Sequence, residues 1–246
     1  MLMITLRLRG GAMLPLRAVA VGMGEQVALL AVLGAFGLGR WSWLPALLYA
    51  AVVCGALAAG LHRAGAPALG PANHVTLARS ALVGAVIALV TDTMRAPATV
   101  PVLVTVASVA LAMDAVDGRV ARGTATATRL GARFDMEIDA LLILVLSLHV
   151  ATLMGAWVLA IGAWRYAFVL AGVVLPWLRR PLPPSTASKT VAAAQGVVLV
   201  VAAAGLLPRV LTTILVAAAL AALTWSFVRD IRRLHQDQAA GPKRRR

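Results

Sequence analysis

The chain has 246 residues, 61% of them hydrophobic, a mean hydropathy of +0.89 and a formal net charge of +14. That apolar fraction excludes an ordinary soluble domain, and the single cysteine, Cys54, excludes a disulfide framework within the chain and a cluster of thiolate metal ligands. The basic residues punctuate apolar segments, so they read as anchors facing anionic lipid, and no nucleic-acid partner is expected.

A helix that crosses a bilayer needs about 20 residues, and the chain divides into eight such stretches. Residues 1–17 carry Arg7, Arg9 and Arg17 and read as an uncleaved cytosolic start. The first span follows to Gly39, with Glu25 as a tolerated polar residue. The second runs over 41–61, opened by Trp41 and Trp43 as interfacial aromatics. A break rich in Pro and Gly then leads to Asn73 and Thr76, either of which can cap the next helix. The third span covers 80–94 and closes on Asp92 and Arg95, which are expected to pair at the surface. The fourth covers 100–122, the fifth starts near Phe134 and runs to about 157, and the sixth covers 158–178. The seventh and eighth cover 189–207 and 210–228. The charged tail from Arg229 to Arg246 is expected to be disordered or to lie on lipid headgroups.

Orientation follows from charge. With both termini cytosolic, 19 of the 23 Lys and Arg residues lie inside; only Arg40, Arg95 and Arg209 lie outside, and Arg165 falls within a span. So strong a bias supports eight spans. The fold class is therefore an all-α polytopic membrane helix bundle.

One stretch departs from the apolar pattern. Five of the nine acidic residues fall within the 26 positions from Asp114 to Asp139, and carboxylates near a bilayer are costly unless they have a partner or a task. On a helix, Asp114, Asp117, Gly118, Ala121 and Arg122 share one face. Gly131, Asp135 and Asp139 share one face of the next, and the small polar run 123–128 between them makes a turn. Two antiparallel helices joined there bring four carboxylates together, which repel unless protons or cations neutralise them. Four oxygen donors without a neighbouring Cys or His suit Mg²⁺, Mn²⁺ or Ca²⁺ rather than zinc. Gly118, Ala121 and Gly131 leave bare backbone on the same faces, open to close approach.

The pattern Asp-x-x-Asp-Gly-x-x-Ala-Arg, eight residues, Gly-x-x-x-Asp-x-x-x-Asp resembles the signature of the CDP-alcohol phosphotransferases (CDP-alcohol phosphatidyltransferases) at all eight fixed positions. Asn73, Thr76 and Arg79 are similar to a weaker element at the entry of that family's first core helix. The resemblance implies a six-helix core, here about residues 65–234, preceded by a transmembrane helix pair at 1–64 and followed by a basic tail at 235–246. It implies transfer of a phosphatidyl group from a CDP-linked donor, with CDP-diacylglycerol expected, to a small alcohol or sugar-phosphate acceptor, with release of CMP. It further implies two divalent ions, Mg²⁺ with Mn²⁺ as the substitute, held by Asp114, Asp117, Asp135 and Asp139. Asp139 would also act as general base on the acceptor hydroxyl. Gly118, Ala121, Arg122 and Gly131 would receive the cytidine diphosphate part, Arg122 with paired donors for phosphate. A homodimer in the cell membrane, its active site at the cytosolic face, is expected on the same ground.

The acceptor stays open. Arg133, Arg165, Arg179, Arg180 and Lys189 are basic candidates, and Arg165 is followed by Tyr166 where phosphatidylglycerol-phosphate-forming members carry an acid. Two rival readings also stay open: a polytopic transporter or ion-binding bundle, and a same-family enzyme that uses a CDP-amino-alcohol donor.

Overall fold

The computed structural model describes residues 2–64, 71–95, 99–124, 129–179 and 186–239; the side chains of residues 2–18, 64, 71–74, 115–124, 129–130, 176, 179, 186 and 237–239 lie outside that description. Eight helices follow one another along the chain: α1 (Leu2–Ala35), α2 (Trp43–Ala64), α3 (Pro71–Thr93), α4 (Val100–Thr124), α5 (Arg129–Met154), α6 (Leu159–Val174), α7 (Thr186–Ala204) and α8 (Arg209–Ala239). Short 3-10 turns precede α2 and α6 and follow α6. The protein is an all-α polytopic membrane bundle, as its hydropathy dictates. Six helical stretches among the described residues are long and apolar enough to cross a membrane; the apolar parts Val19–Ala35 of α1 and Val100–Asp114 of α4 are shorter than that.

Glycine sets two of the boundaries. Gly37 (φ 97°) and Gly155 (φ 108°) take left-handed backbone, a conformation that costs a glycine little and most other residues much. The second stops α5 at Met154, three residues before the point expected from hydropathy.

The chain divides into two compact units, Met1–Leu142 and Ile143–Arg246. In the first, α3 is central. It packs against α1, α2 and α4, and 72% of its apolar window is buried. The neighbours each present a helical stripe: Gly22, Gln26, Leu30 and Leu33 on α1, Ala46, Ala50, Val53, Leu57 and Leu61 on α2, and Leu103, Ala107 and Ala110 on α4. Steps of three and four residues keep such a stripe on one face. Lipid is as apolar as leucine, so close packing rather than water exclusion holds such helices together, and small residues permit it. A Cβ on Gly22 would lie 2.7 Å from Cys54 Sγ and 2.9 Å from Leu77 Cδ1, and one on Gly84 would run into the Gln26 amide.

Two polar links tie the N-terminal helices to α3. The Tyr49 and Ser80 hydroxyls lie 3.2 Å apart. Asp92, buried at the far end of α3, accepts from the Gly39 N–H and the Ser42 hydroxyl, both at 3.0 Å. Asp92 therefore does not pair with Arg95 at the surface. The Arg95 N–H donates instead to the Asp92 carbonyl, as the chain turns out of the helix. Nor do Asn73 and Thr76 cap α3: they lie inside a helix whose described part opens at Pro71, a residue suited to a first turn because it has no N–H to satisfy.

In the second unit, Gly162 of α6 lies against the Leu144 backbone of α5. Phe227 of α8 stacks on Trp164 of α6 at 5.6 Å, and Gln195 of α7 donates to the Ala219 carbonyl of α8 at 3.0 Å. Helix α8 continues well into the charged tail, to Ala239. Its extension is held locally: Arg229 donates to the Ser188 hydroxyl at 2.8 Å, Leu234 is buried, and His235 meets the Trp177 ring edge-on.

Candidate functional site

The last residue of the α4 stripe that packs on α3 is Ala110, and one helical turn further on is Asp114. The same face that carries apolar contacts along α4 thus carries a carboxylate at its end. On α5, Asp135, Asp139 and Leu142 follow at steps of four and three, so both aspartates share the face of a buried leucine. The opposing group comes from α3. Arg79 sits near the start of that helix, at the end of the first unit where α4 finishes and α5 begins.

Arg79 is 1% exposed, and its guanidinium bridges all three carboxylates. Nη1 donates to Asp114 Oδ1 at 2.6 Å, while Nη2 donates to Asp135 Oδ1 and lies 3.0 Å from Asp139 Oδ1. Nη2 also lies 3.4 Å from the Asp135 carbonyl. The carboxylates are 38–45% exposed, so the cation lies on the protein side of the cluster and the anions face outward. A planar guanidinium presents five donors in a fixed fork, enough to serve all three carboxylates at once.

One carboxylate oxygen from each of Asp114, Asp135 and Asp139 lies within 4.8 Å of the others, a set that could hold a metal ion. Oxygen donors that close suit a hard divalent cation. Three of the four aspartates singled out from spacing are therefore brought together. Gly131 is described on the same helix, half-buried. Asp117, Gly118, Ala121 and Arg122 lie in the helical part of α4, with their side chains outside the described residues.

Sequence reasoning missed how the cluster is supported. Phe134, next to Asp135, packs against a buried group formed by Cys54, Leu57 and Leu61 of α2 and Leu77 of α3, joined by Val19 and Met23 of α1. The N-terminal helix pair, to which spacing assigned no task, thus packs on α3 and shares a buried group with Phe134 at the start of α5. Arg79 itself was legible only as part of a weak helix-entry element; a basic residue followed by an apolar helix carries no signal of its final partners. Of the basic residues considered for an acceptor, Arg133 is exposed on α5, Arg165 is half-buried in α6 and Lys189 is exposed on α7. The side chains of Arg179 and Arg180 lie outside the described residues.

A model of the CDP-alcohol phosphatidyltransferase family matches residues 70–225, a stretch that contains α3 through most of α8 and every residue of the cluster. No curated protein and no solved structure matches the chain.

Proposed function

The chain belongs to the CDP-alcohol phosphatidyltransferase family, and on that premise we propose that it transfers a phosphatidyl group from CDP-diacylglycerol to a small alcohol or sugar-phosphate acceptor and releases CMP. The observation that carries the reading is the convergence of Asp114, Asp135 and Asp139 on Arg79 within the matched region. Three outward-facing carboxylates held by one buried cation form a site for divalent metal and, through it, for a pyrophosphate.

In this reading Asp114, Asp117, Asp135 and Asp139 hold the metal, two Mg²⁺ or Mn²⁺ ions. When bound, these would neutralise the pyrophosphate and stabilise charge on the attacking and leaving oxygens. Gly118, Ala121 and Gly131 give the cytidine diphosphate room to approach the helix backbone, and Arg122 donates to its phosphates. Asp139 takes the proton of the acceptor hydroxyl as that oxygen attacks the phosphorus bearing the diacylglycerol. A new P–O bond forms, the bond from that phosphorus to the bridging oxygen breaks, and CMP leaves with the electron pair. An ionised carboxylate beside cations is a weak base, so its action rests on placement against the hydroxyl.

The functional core is 65–234, with 1–64 as its brace and 235–246 as a basic tail. The bias of basic residues puts the site at the cytosolic face of the cell membrane, where cytidine nucleotides are available. A homodimer is part of the same proposal. Protein purified in detergent, given CDP-diacylglycerol and Mg²⁺ or Mn²⁺ with a panel of acceptors, should release CMP only with metal and with one acceptor class. Solute transport across vesicles without CMP release would overturn the assignment.

A further inference from the structure

The cluster contains a cation of its own. Arg79 is almost wholly buried and touches one oxygen, Oδ1, of each of Asp114, Asp135 and Asp139. It thereby removes one unit of negative charge from the set of groups that would hold a divalent ion. Its position is enforced: the side chain leaves a helix packed on three others, and the guanidinium has three carboxylates around it.

We propose that Arg79 tempers the metal affinity of the site, so that the free protein holds divalent cation weakly and the polyanionic donor completes the binding. This rests on the metal reading of the preceding section and deepens it. The argument is electrostatic. Three carboxylates and one guanidinium carry a net charge of −2, and a fixed positive charge beside a divalent ion opposes its binding, more so on the low-dielectric side of a site than in water. A donor pyrophosphate brings further negative charge and restores the balance. Metal and nucleotide therefore bind with positive coupling, each raising the affinity of the other by the same factor. The arginine contributes at the same time to assembly of the site, because it is a counter-charge shared by all three carboxylates.

The test separates charge from shape. Mn²⁺ is titrated into the full-length wild type, Arg79→Gln and Arg79→Lys in detergent, with and without CDP, and free Mn²⁺ is read from its paramagnetic resonance signal. Glutamine keeps amide donors but no charge; lysine keeps the charge. Without nucleotide, Arg79→Gln should bind Mn²⁺ at least about ten-fold more tightly than the wild type, and Arg79→Lys within about three-fold of it. CDP should tighten Mn²⁺ binding by the wild type and much less by Arg79→Gln. Equal or weaker Mn²⁺ binding by Arg79→Gln would overturn the proposal, because Arg79 would then build the site rather than temper it. The melting temperature of Arg79→Gln on stepwise chelation checks that it stays folded across the titration; if it is unfolded without Mn²⁺, or even in saturating Mn²⁺, Arg79 builds the site and the proposal fails. Absence of Mn²⁺ binding by the wild type with CDP present would instead refute the metal reading itself.

Discussion

Asp139→Asn separates chemistry from architecture more cleanly than any other change at the site. At 3.0 Å from Arg79 Nη2, a unit charge pair would be worth about 5 kcal/mol at an effective dielectric constant of about 20. Asp139 is 40% exposed and shares the guanidinium with two other carboxylates, so screening reduces its net share to about 1 kcal/mol. Asparagine also keeps an oxygen that accepts from Arg79. The melting temperature in detergent should therefore fall by only about 2–4 °C, the scale for about 1 kcal/mol in a chain of this size. Transfer should fall by about 10²–10⁴-fold, the usual contribution of a positioned general base, and binding of CDP should be largely spared. Single-turnover CMP release, CDP binding and thermal melting on the same preparation test all three. Transfer within ten-fold of the wild type would remove the base assignment. A melting temperature lower by more than about 10 °C would show that the residue holds the fold instead.

Three further changes probe the scaffold. Gly162→Ala would place a Cβ 2.5 Å from the Leu144 Cα, a backbone atom that cannot rotate away. It should cost about 1–3 kcal/mol by denaturant titration in micelles, more than Gly84→Ala, whose neighbour is the end of the Gln26 side chain; equal costs would refute the distinction. Asp92→Ala leaves the Gly39 N–H and the Ser42 hydroxyl without their acceptor and should cost about 1–3 kcal/mol. Leu57→Ala opens a cavity in the group that supports Phe134. It should cost about 2–5 kcal/mol and lower CMP release at temperatures where the protein is still folded; unchanged release there would mean that the N-terminal pair does not position α5.

Much of the molecule could be read from residue order. Membrane helices satisfy their own backbone hydrogen bonds within each segment, so apolar run lengths set the eight helices directly, and the family signature pointed to the aspartates. Where local signals misled, tertiary contacts had intervened. Charge density marked the segment after Val228 as a tail, yet contacts of Arg229, Leu234 and His235 hold it as helix. Asp92 beside Arg95 looked like a surface pair, yet the turn before α2 supplies its donors.

Spacing along a helix fixes which side chains share a face, and that alone put Asp135 with Asp139 and aligned Asp114 with the packed stripe of α4. It does not fix which third helix that face meets. That α3 lies at the centre of the first unit, that Arg79 reaches Asp114 and both α5 aspartates from it, and that Phe134 joins a buried group built by the first three helices were decided by packing between segments far apart in the chain. Contacts at such separations arise from the fit of whole helix surfaces, which no local period encodes.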